Sequence, residues 1–268
     1  LFALRAYLLV VFGDIPAISL LLRMKGHNGY SPCRMCYITG VRSSDPKSKV
    51  LYVPLDRASH PSVQNDDDTI KCYDSAALPL RAHDEFLEQA TEVQSARTNV
   101  EAERLAKEYG IKGLPVLAHL PSLSLPRCAP YDIMHLVFEN LLPNLIKHWT
   151  GEFKGLDEGC EDYQFEAKVW EALGRDTAAT GKTMPSAYGS RIPNIEKDRS
   201  NMSAEMWSIW MLYIGPVLLE RRFTKRKYYD HFVELVRIIN ICLQFEITRE
   251  EIAEVRRGFQ QWVADYEK

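Results

Sequence analysis

Cys33-Arg-Met-Cys36 sets two thiols on one tight turn, the spacing at which both sulfurs reach a single tetrahedral zinc ion. Two sulfurs are half of such a set, and the sequence holds no second C-x-x-C and no H-x-x-x-H pair. His27, His60 and Cys72 are the nearby residues that could add to it; a pair of ordinary thiols is the alternative. A different chemistry is suggested by Asp14, which follows the apolar run Arg5-Ala-Tyr-Leu-Leu-Val-Val-Phe12 and Gly13. A carboxylate at the tip of a buried strand is what a two-metal phosphoryl-transfer site needs, because rigid backbone fixes oxygens around cations about 4 Å apart. The same Asp could equally cap the helix that follows.

Two further groups could bind something. Asp132, His135 and Glu139 stand at i, i+3 and i+7, so a helix would carry them along one face, as metal ligands or as a capping Asp with a satisfied histidine. Arg221, Arg222, Lys225, Arg226 and Lys227, with Phe223, Tyr228 and Tyr229, form the densest basic cluster. It suits DNA phosphates with aromatic support, or else a solvated helix junction.

The elements that must position these residues follow from periodicity. Arg5–Phe12 is short, continuous and rich in strand formers, and reads as a buried strand ending at Asp14. Pro16 suits the first turn of a helix that Lys25-Gly26 ends. Residues 27 to 79 are loop-rich, with Asp45-Pro46, His60-Pro61 and the acidic run Asp66-Asp67-Asp68, and with a short strand at Val50–Pro54. Residues 81 to 109 carry an amphipathic helical pattern that Gly110 stops. A proline-bearing segment leads to a mostly buried helix over Tyr131–Trp149, interrupted by Pro143. Helices follow near Tyr163–Leu173, Ser203–Leu219, Lys227–Phe245 and Thr248–Tyr266, the last opened by a Thr248/Glu251 capping box. Trp207 and Trp210, with Met206, Met211 and Leu212, recur at helical spacing and read as core.

Bulk composition narrows the function classes. At 268 residues and 46% hydrophobic content the chain can bury a sizeable core. Lys plus Arg number 33 against 36 Asp plus Glu, so a net charge of -3 gives no global attraction to a polyanion, and any nucleic-acid contact must be local. Six scattered cysteines suit a reducing compartment better than a disulfide framework. The apolar stretch at Ala6–Phe12 is far short of the roughly 20 residues of a membrane span. No phosphate-cradling glycine loop, nucleophile elbow or His-Glu-x-x-His sequence points to a metabolic enzyme. The chain opens on Leu and closes on a running helix, which reads as a piece of something longer.

Gly13-Asp-Ile-Pro-Ala17, then Gly26-His-Asn-Gly-Tyr-Ser-Pro-Cys-Arg-Met-Cys36, then Tyr131-Asp-Ile-Met-His135 resemble, in that order, the transposases of CACTA-type elements, especially fungal ones. Tyr52-Val-Pro-Leu55, Leu78-Pro-Leu-Arg81, Trp149-Thr-Gly-Glu-Phe-Lys154 and Tyr213-Ile-Gly-Pro-Val-Leu-Leu219 extend the likeness along nearly the whole chain. The resemblance implies a mostly α fold with a small α/β part. Residues 1–80 would be part of a ribonuclease-H-like core, and 81–268 a helical insertion domain. It implies that Asp14 is the second catalytic aspartate, binding Mg2+ or Mn2+, and that Cys33 and Cys36 are structural Zn2+ ligands. It also implies a nuclear enzyme that cuts and joins double-stranded DNA at element ends and is homo-oligomeric at full length. No earlier catalytic aspartate, zinc-completing histidine pair or terminal glutamate accompanies these motifs, so the piece alone is expected to be inactive. A non-catalytic descendant, a helical DNA-binding or protein-interaction module, is the alternative.

Overall fold

Residues 5–42, 51–64, 69–153 and 161–268 are described by the computed structural model, and helices dominate among them. Asp45-Pro46, Asp66-Asp67-Asp68, Lys154 and Cys160 lie outside the described residues. Backbone contacts divide the chain into two units, Leu1–Asp132 and Ile133–Lys268. The boundary drawn at residue 80 from the sequence falls inside the first of them, because Phe86 and Ala90 share a core with Ile18, Leu22, Met24, Ile111 and Leu125.

The expected buried strand at Arg5–Phe12 is not formed. The segment is irregular, with Tyr7, Leu9 and Phe12 each more than 60% exposed. Its ties are the Val11 N–H donating to the Cys128 carbonyl at 2.8 Å and the Ser122 hydroxyl donating to the Leu8 carbonyl at 2.6 Å. A strand exists only where neighbours satisfy its backbone groups, and the described residues supply no ladder here. The sheet that is present has two strands, β1 (Val41–Arg42) and β2 (Leu51–Tyr52), antiparallel with Val41 opposite Tyr52. β2 lies within the strand expected near Val50–Pro54, of which Val50 is outside the described residues.

Two helices of the first unit start at a side-chain cap that the sequence offers. α1 (Ile15–Leu21) begins at Asp14, whose carboxylate accepts from the Ala17 N–H at 2.6 Å, with Pro16 in the first turn, where a missing N–H costs nothing. After α2 (Pro61–Gln64), the single amphipathic helix expected over 81 to 109 is two, α3 (His83–Ser95) and α4 (Asn99–Tyr109). Thr98 explains the break: its hydroxyl accepts from the Glu101 N–H at 3.2 Å, a new N-cap that interrupts the periodicity. Gly110 ends α4 at φ +74, and a Cβ there would run into the Ser31 carbonyl oxygen. The end of α4 is therefore pinned against the segment that enters the cysteine turn. Leu22, Phe86 and Ile111 are fully buried, each contributing about 1.5–3 kcal/mol through burial.

Every regular element among the second unit's described residues is a helix. A π-helical run at Met134–Leu141 leads into α5 (Leu142–Trp149), followed by α6 (Ala167–Thr180). α7 (Ala204–Ile209), a second π-helical run at Trp210–Ile214 and α8 (Gly215–Leu218) are continuous. Each π run gives way to a helix whose second residue is proline, Pro143 and Pro216. Proline has no N–H to donate and its ring crowds the carbonyl four residues earlier, and a widened turn relieves that crowding. α9 (Arg226–Cys242) and α10 (Arg249–Tyr266) form an antiparallel pair, and the Thr248/Glu251 capping box is present with both of its hydrogen bonds. The core holds Trp207, Trp210 and Met211 as expected, with Leu142, Ile146, Leu173 and Phe232.

Candidate functional site

The cysteine turn is held from two sides. Arg34, between the two cysteines, turns inward: its Nε donates to the Ala129 carbonyl at 2.7 Å and its Nη2 to the Pro130 carbonyl at 2.8 Å. Its guanidinium lies 3.8 Å above the centre of the Tyr131 ring. From the other side, the Arg81 N–H donates to the Met35 carbonyl at 2.9 Å, and its Nε reaches the carbonyls of Cys33 and Cys36 at 3.0 and 3.3 Å. Arg81 Nη2 donates to Ser31 Oγ at 2.8 Å, while Nη1 is buried with no hydrogen-bond partner. Arg34 and Arg81 are both at least 95% buried, and among the described residues neither meets a carboxylate. Burying a guanidinium costs several kcal/mol unless negative charge or dipoles offset it, so this pocket favours anions.

The acids beside Arg81 are the thiols of Cys33 and Cys36 and the phenol of Tyr37, over whose ring its guanidinium lies at 4.2 Å. Cys33 is partly exposed, and Cys36 is 4% exposed in a small cluster with Ile38 and Tyr73. The neighbouring Cys36 thiol, a hydrogen bond from the Met35 N–H at 3.3 Å and the Tyr131 hydroxyl 3.5 Å away all favour negative charge on the Cys33 sulfur. Together these outweigh burial and bring the Cys33 thiol down to about 5. The Cys36 thiol moves the other way, because the neighbouring Cys33 sulfur favours its protonated form, and burial and the Cys33 charge both oppose a second negative sulfur. Burial first, and then the Cys33 charge, push the Tyr131 hydroxyl up.

Beside this turn is a cavity of about 290 Å³ lined by Ile15, Ser19, His27, Cys33, Arg34 and Tyr131, among others. Residues from all three motifs quoted above thus face one space. Asp14 stands at the N-terminus of the helix that supplies Ile15 and Ser19, one of its oxygens engaged as the cap.

Other residues singled out from the sequence are engaged elsewhere. His27 is exposed, with its Nε2 accepting from Asn28 Nδ2 at 3.0 Å. His60 closes a loop instead: its Nε2 donates to the Arg42 carbonyl at 2.6 Å and its Nδ1 accepts from Ser62 Oγ at 2.7 Å. Cys72 is exposed. Asp132 precedes the helical run, so the expected three-residue stripe reduces to His135 and Glu139, whose Nε2 and Oε2 are 3.6 Å apart.

Among the described residues no three His, Cys, Asp or Glu side chains gather as a metal set. Asp14 alone does not make a two-metal centre, and Cys33 with Cys36 makes half of a zinc set. The basic cluster is largely neutralised: Arg222 pairs with Asp176 at 3.1 Å, Arg226 with Asp230 at 3.2 Å and Lys225 with Asp162. Arg221 is highly exposed beside Glu220, and Lys227 lies over the Tyr228 ring. Phosphate contact there requires exchanging carboxylates for phosphates.

Chemical spacing did not mark Arg81 or the inward turn of Arg34; only the Leu78–Arg81 and Gly26–Cys36 stretches contained them. No family model, curated protein or solved structure matches the chain. No described helix is long and apolar enough to cross a membrane.

Proposed function

We propose that this chain is part of a cut-and-paste DNA transposase of the CACTA type, a phosphoryl-transfer enzyme acting on double-stranded DNA in the nucleus. On this reading Asp14 is one of its catalytic carboxylates, residues 1–80 belong to a ribonuclease-H-like core and the later helices are an insertion. The observation that carries it is the meeting of three motifs at one cavity, through Ile15, through His27, Cys33 and Arg34, and, almost a hundred residues later in sequence, through Tyr131. The arrival of Tyr131 beside Cys33 and Arg34 is the non-local part of that meeting. The rest of the catalytic set, and the oligomeric contacts, are assigned to the whole protein. DNA contact at Arg221, Arg222, Lys225, Arg226 and Lys227 belongs to the same proposal, with Arg221 and Lys227 the cations least committed to carboxylates.

The test is excision of a marked element by the full-length protein. Asp14→Asn keeps a side chain able to cap α1, so folding is retained while a catalytic carboxylate is removed. Excision falls to background if Asp14 is catalytic; wild-type excision by a folded Asp14→Asn protein ends the catalytic assignment. One observation favours a second reading, a non-catalytic helical module: the Asp14 carboxylate already has structural work as a cap. DNA binding without divalent-cation-dependent nicking would select it.

A further inference from the structure

We infer that the outer face of α10 is a phosphate-contacting surface for duplex DNA, carried by Arg249, Arg256 and Arg257. DNA as the partner rests on the transposase reading; the choice of this face rests on how the charges of α10 are paired.

α10 has 18 residues and is therefore about 27 Å long. Val255, Phe259 and Trp262 pack it onto the core of the second unit, which leaves the row Arg249, Ala253 and Arg257, at i, i+4 and i+8, on the far side. Arg249, Arg256 and Arg257 are all exposed, and among the described residues none of their side chains makes a hydrogen bond or an ion pair. The acids within α10 are mostly engaged: Glu251 is bound in the capping box, Glu254 pairs with Arg237 of α9, and Asp265 pairs with Lys268 at 3.1 Å. Glu250 is exposed in the first turn, where the helix dipole attracts a carboxylate. Ala253, between Arg249 and Arg257, adds no bulk that would hold a phosphate backbone away.

The cluster at 221–227 differs, because Arg222, Arg226 and Lys225 are matched by Asp176, Asp230 and Asp162. Unpaired cations bind phosphate without first giving up a carboxylate, and each contact releases counterions from the DNA. Arginine adds a planar fork that fits phosphate oxygens. A chain of net charge -3 meets a polyanion through such a local excess of positive charge.

The test measures binding of the whole 268-residue chain to labelled duplexes of varied sequence, by fluorescence anisotropy over a range of salt concentrations. Gln substitution of Arg249, Arg256 and Arg257 together keeps good helix formers in place. It should raise Kd at least about tenfold and flatten the slope of log K against log salt by roughly 2–3. The loss should be alike for every duplex, since phosphate contacts carry no sequence information. Lys at the same three positions should restore most of the affinity, a rescue that a merely structural role would not give. Gln at Arg97, Arg104 and Lys107, around α4, changes the net charge equally and should stay within about twofold of wild type. If circular dichroism shows the triple Gln protein unfolded, the single substitutions decide, each flattening the slope by about 1. Equal losses in the two Gln proteins, an unchanged slope in the α10 protein, or no duplex binding by the wild-type chain overturns the inference. The Asp14→Asn excision assay is independent of all these results. An unchanged slope removes this face and leaves the transposase reading standing, while normal excision by Asp14→Asn leaves the DNA contact of α10 as measured.

Discussion

The Arg34 guanidinium lies over the Tyr131 ring, 3.8 Å from its centre, while donating to the carbonyls of Ala129 and Pro130. One side chain thereby fastens the cysteine turn to a segment almost a hundred residues later in sequence. Arg34→Met removes two charge-assisted hydrogen bonds, each about 1.5–3 kcal/mol, and should loosen both segments. Arg34→Lys should be no rescue, because a point charge cannot reproduce a planar fork that stacks and donates twice. Hydrogen exchange read on peptides spanning 28–40 and 125–132 should accelerate in both variants. Unchanged protection in Arg34→Met would show that the clasp is not what holds the turn.

Gly110 tests the same turn from α4. Its φ of +74 and its approach to the Ser31 carbonyl leave no room for a side chain. Gly110→Ala should destabilise by more than about 1 kcal/mol, combining a left-handed conformation with a steric clash. Gly181 is the control: it has φ -60, and a Cβ there meets Arg191 side-chain atoms no closer than 3.4 Å. Gly181→Ala should be neutral or slightly stabilising, within about 1 kcal/mol. Equal urea midpoints for the two variants would contradict the close approach at Ser31.

Periodicity and capping chemistry made much of the helical fold legible. The Thr248/Glu251 box, the Trp207 and Trp210 core and the helix after Asp14 are local signals that tertiary structure did not override. Thr98-Asn-Val-Glu101 carries the same signature and would have divided residues 81 to 109 correctly. Arg5–Phe12 shows the limit: strand-forming residues state a preference, but pairing is non-local, and the described residues contain no partner strand. The site was legible only as motifs. Which residues converge on Cys33 depends on contacts such as Arg34 with Ala129 and Arg81 with Cys33, whose separation no local pattern encodes.

In the second unit, Trp210 is fully buried with its indole N–H donating to Thr177 Oγ1 at 3.2 Å, and Thr177 is equally buried. Thr177→Val keeps the shape and removes the acceptor, leaving an unpaired indole N–H at a cost of about 1–3 kcal/mol. Thr177→Ser retains the acceptor and should lose less. Urea unfolding followed by tryptophan fluorescence suits this comparison, since all five tryptophans lie in residues 149–262. A Val variant as stable as the Ser variant would mean that this hydrogen bond contributes nothing net.

His231 makes the pairing of α9 and α10 sensitive to acid. Its ring stacks on Trp262 at 4.4 Å and its Nε2 donates to the Trp262 carbonyl at 3.0 Å, while the Trp262 indole donates back to the His231 carbonyl at 2.9 Å. Burial holds the imidazole below its ordinary value, against the opposing pull of that hydrogen bond and of Asp265. Unfolded, His231 takes up a proton near pH 6.5; folded, it does so only at lower pH. Across that interval the unfolded chain holds more protons, so stability is full above the unfolded value and falls as pH drops through the interval. His231→Phe preserves stacking and forfeits one hydrogen bond, so it should be less stable than wild type at pH 7.5 by about 1 kcal/mol. Its stability should then decline less steeply between pH 6.5 and 5, narrowing or closing the gap, since the remaining titrating groups are common to both proteins. Urea midpoints at half-unit pH intervals measure the difference directly. Parallel curves for the two proteins would mean that His231 titrates alike in the folded and unfolded chain, and that burial against Trp262 imposes no penalty on its charged form.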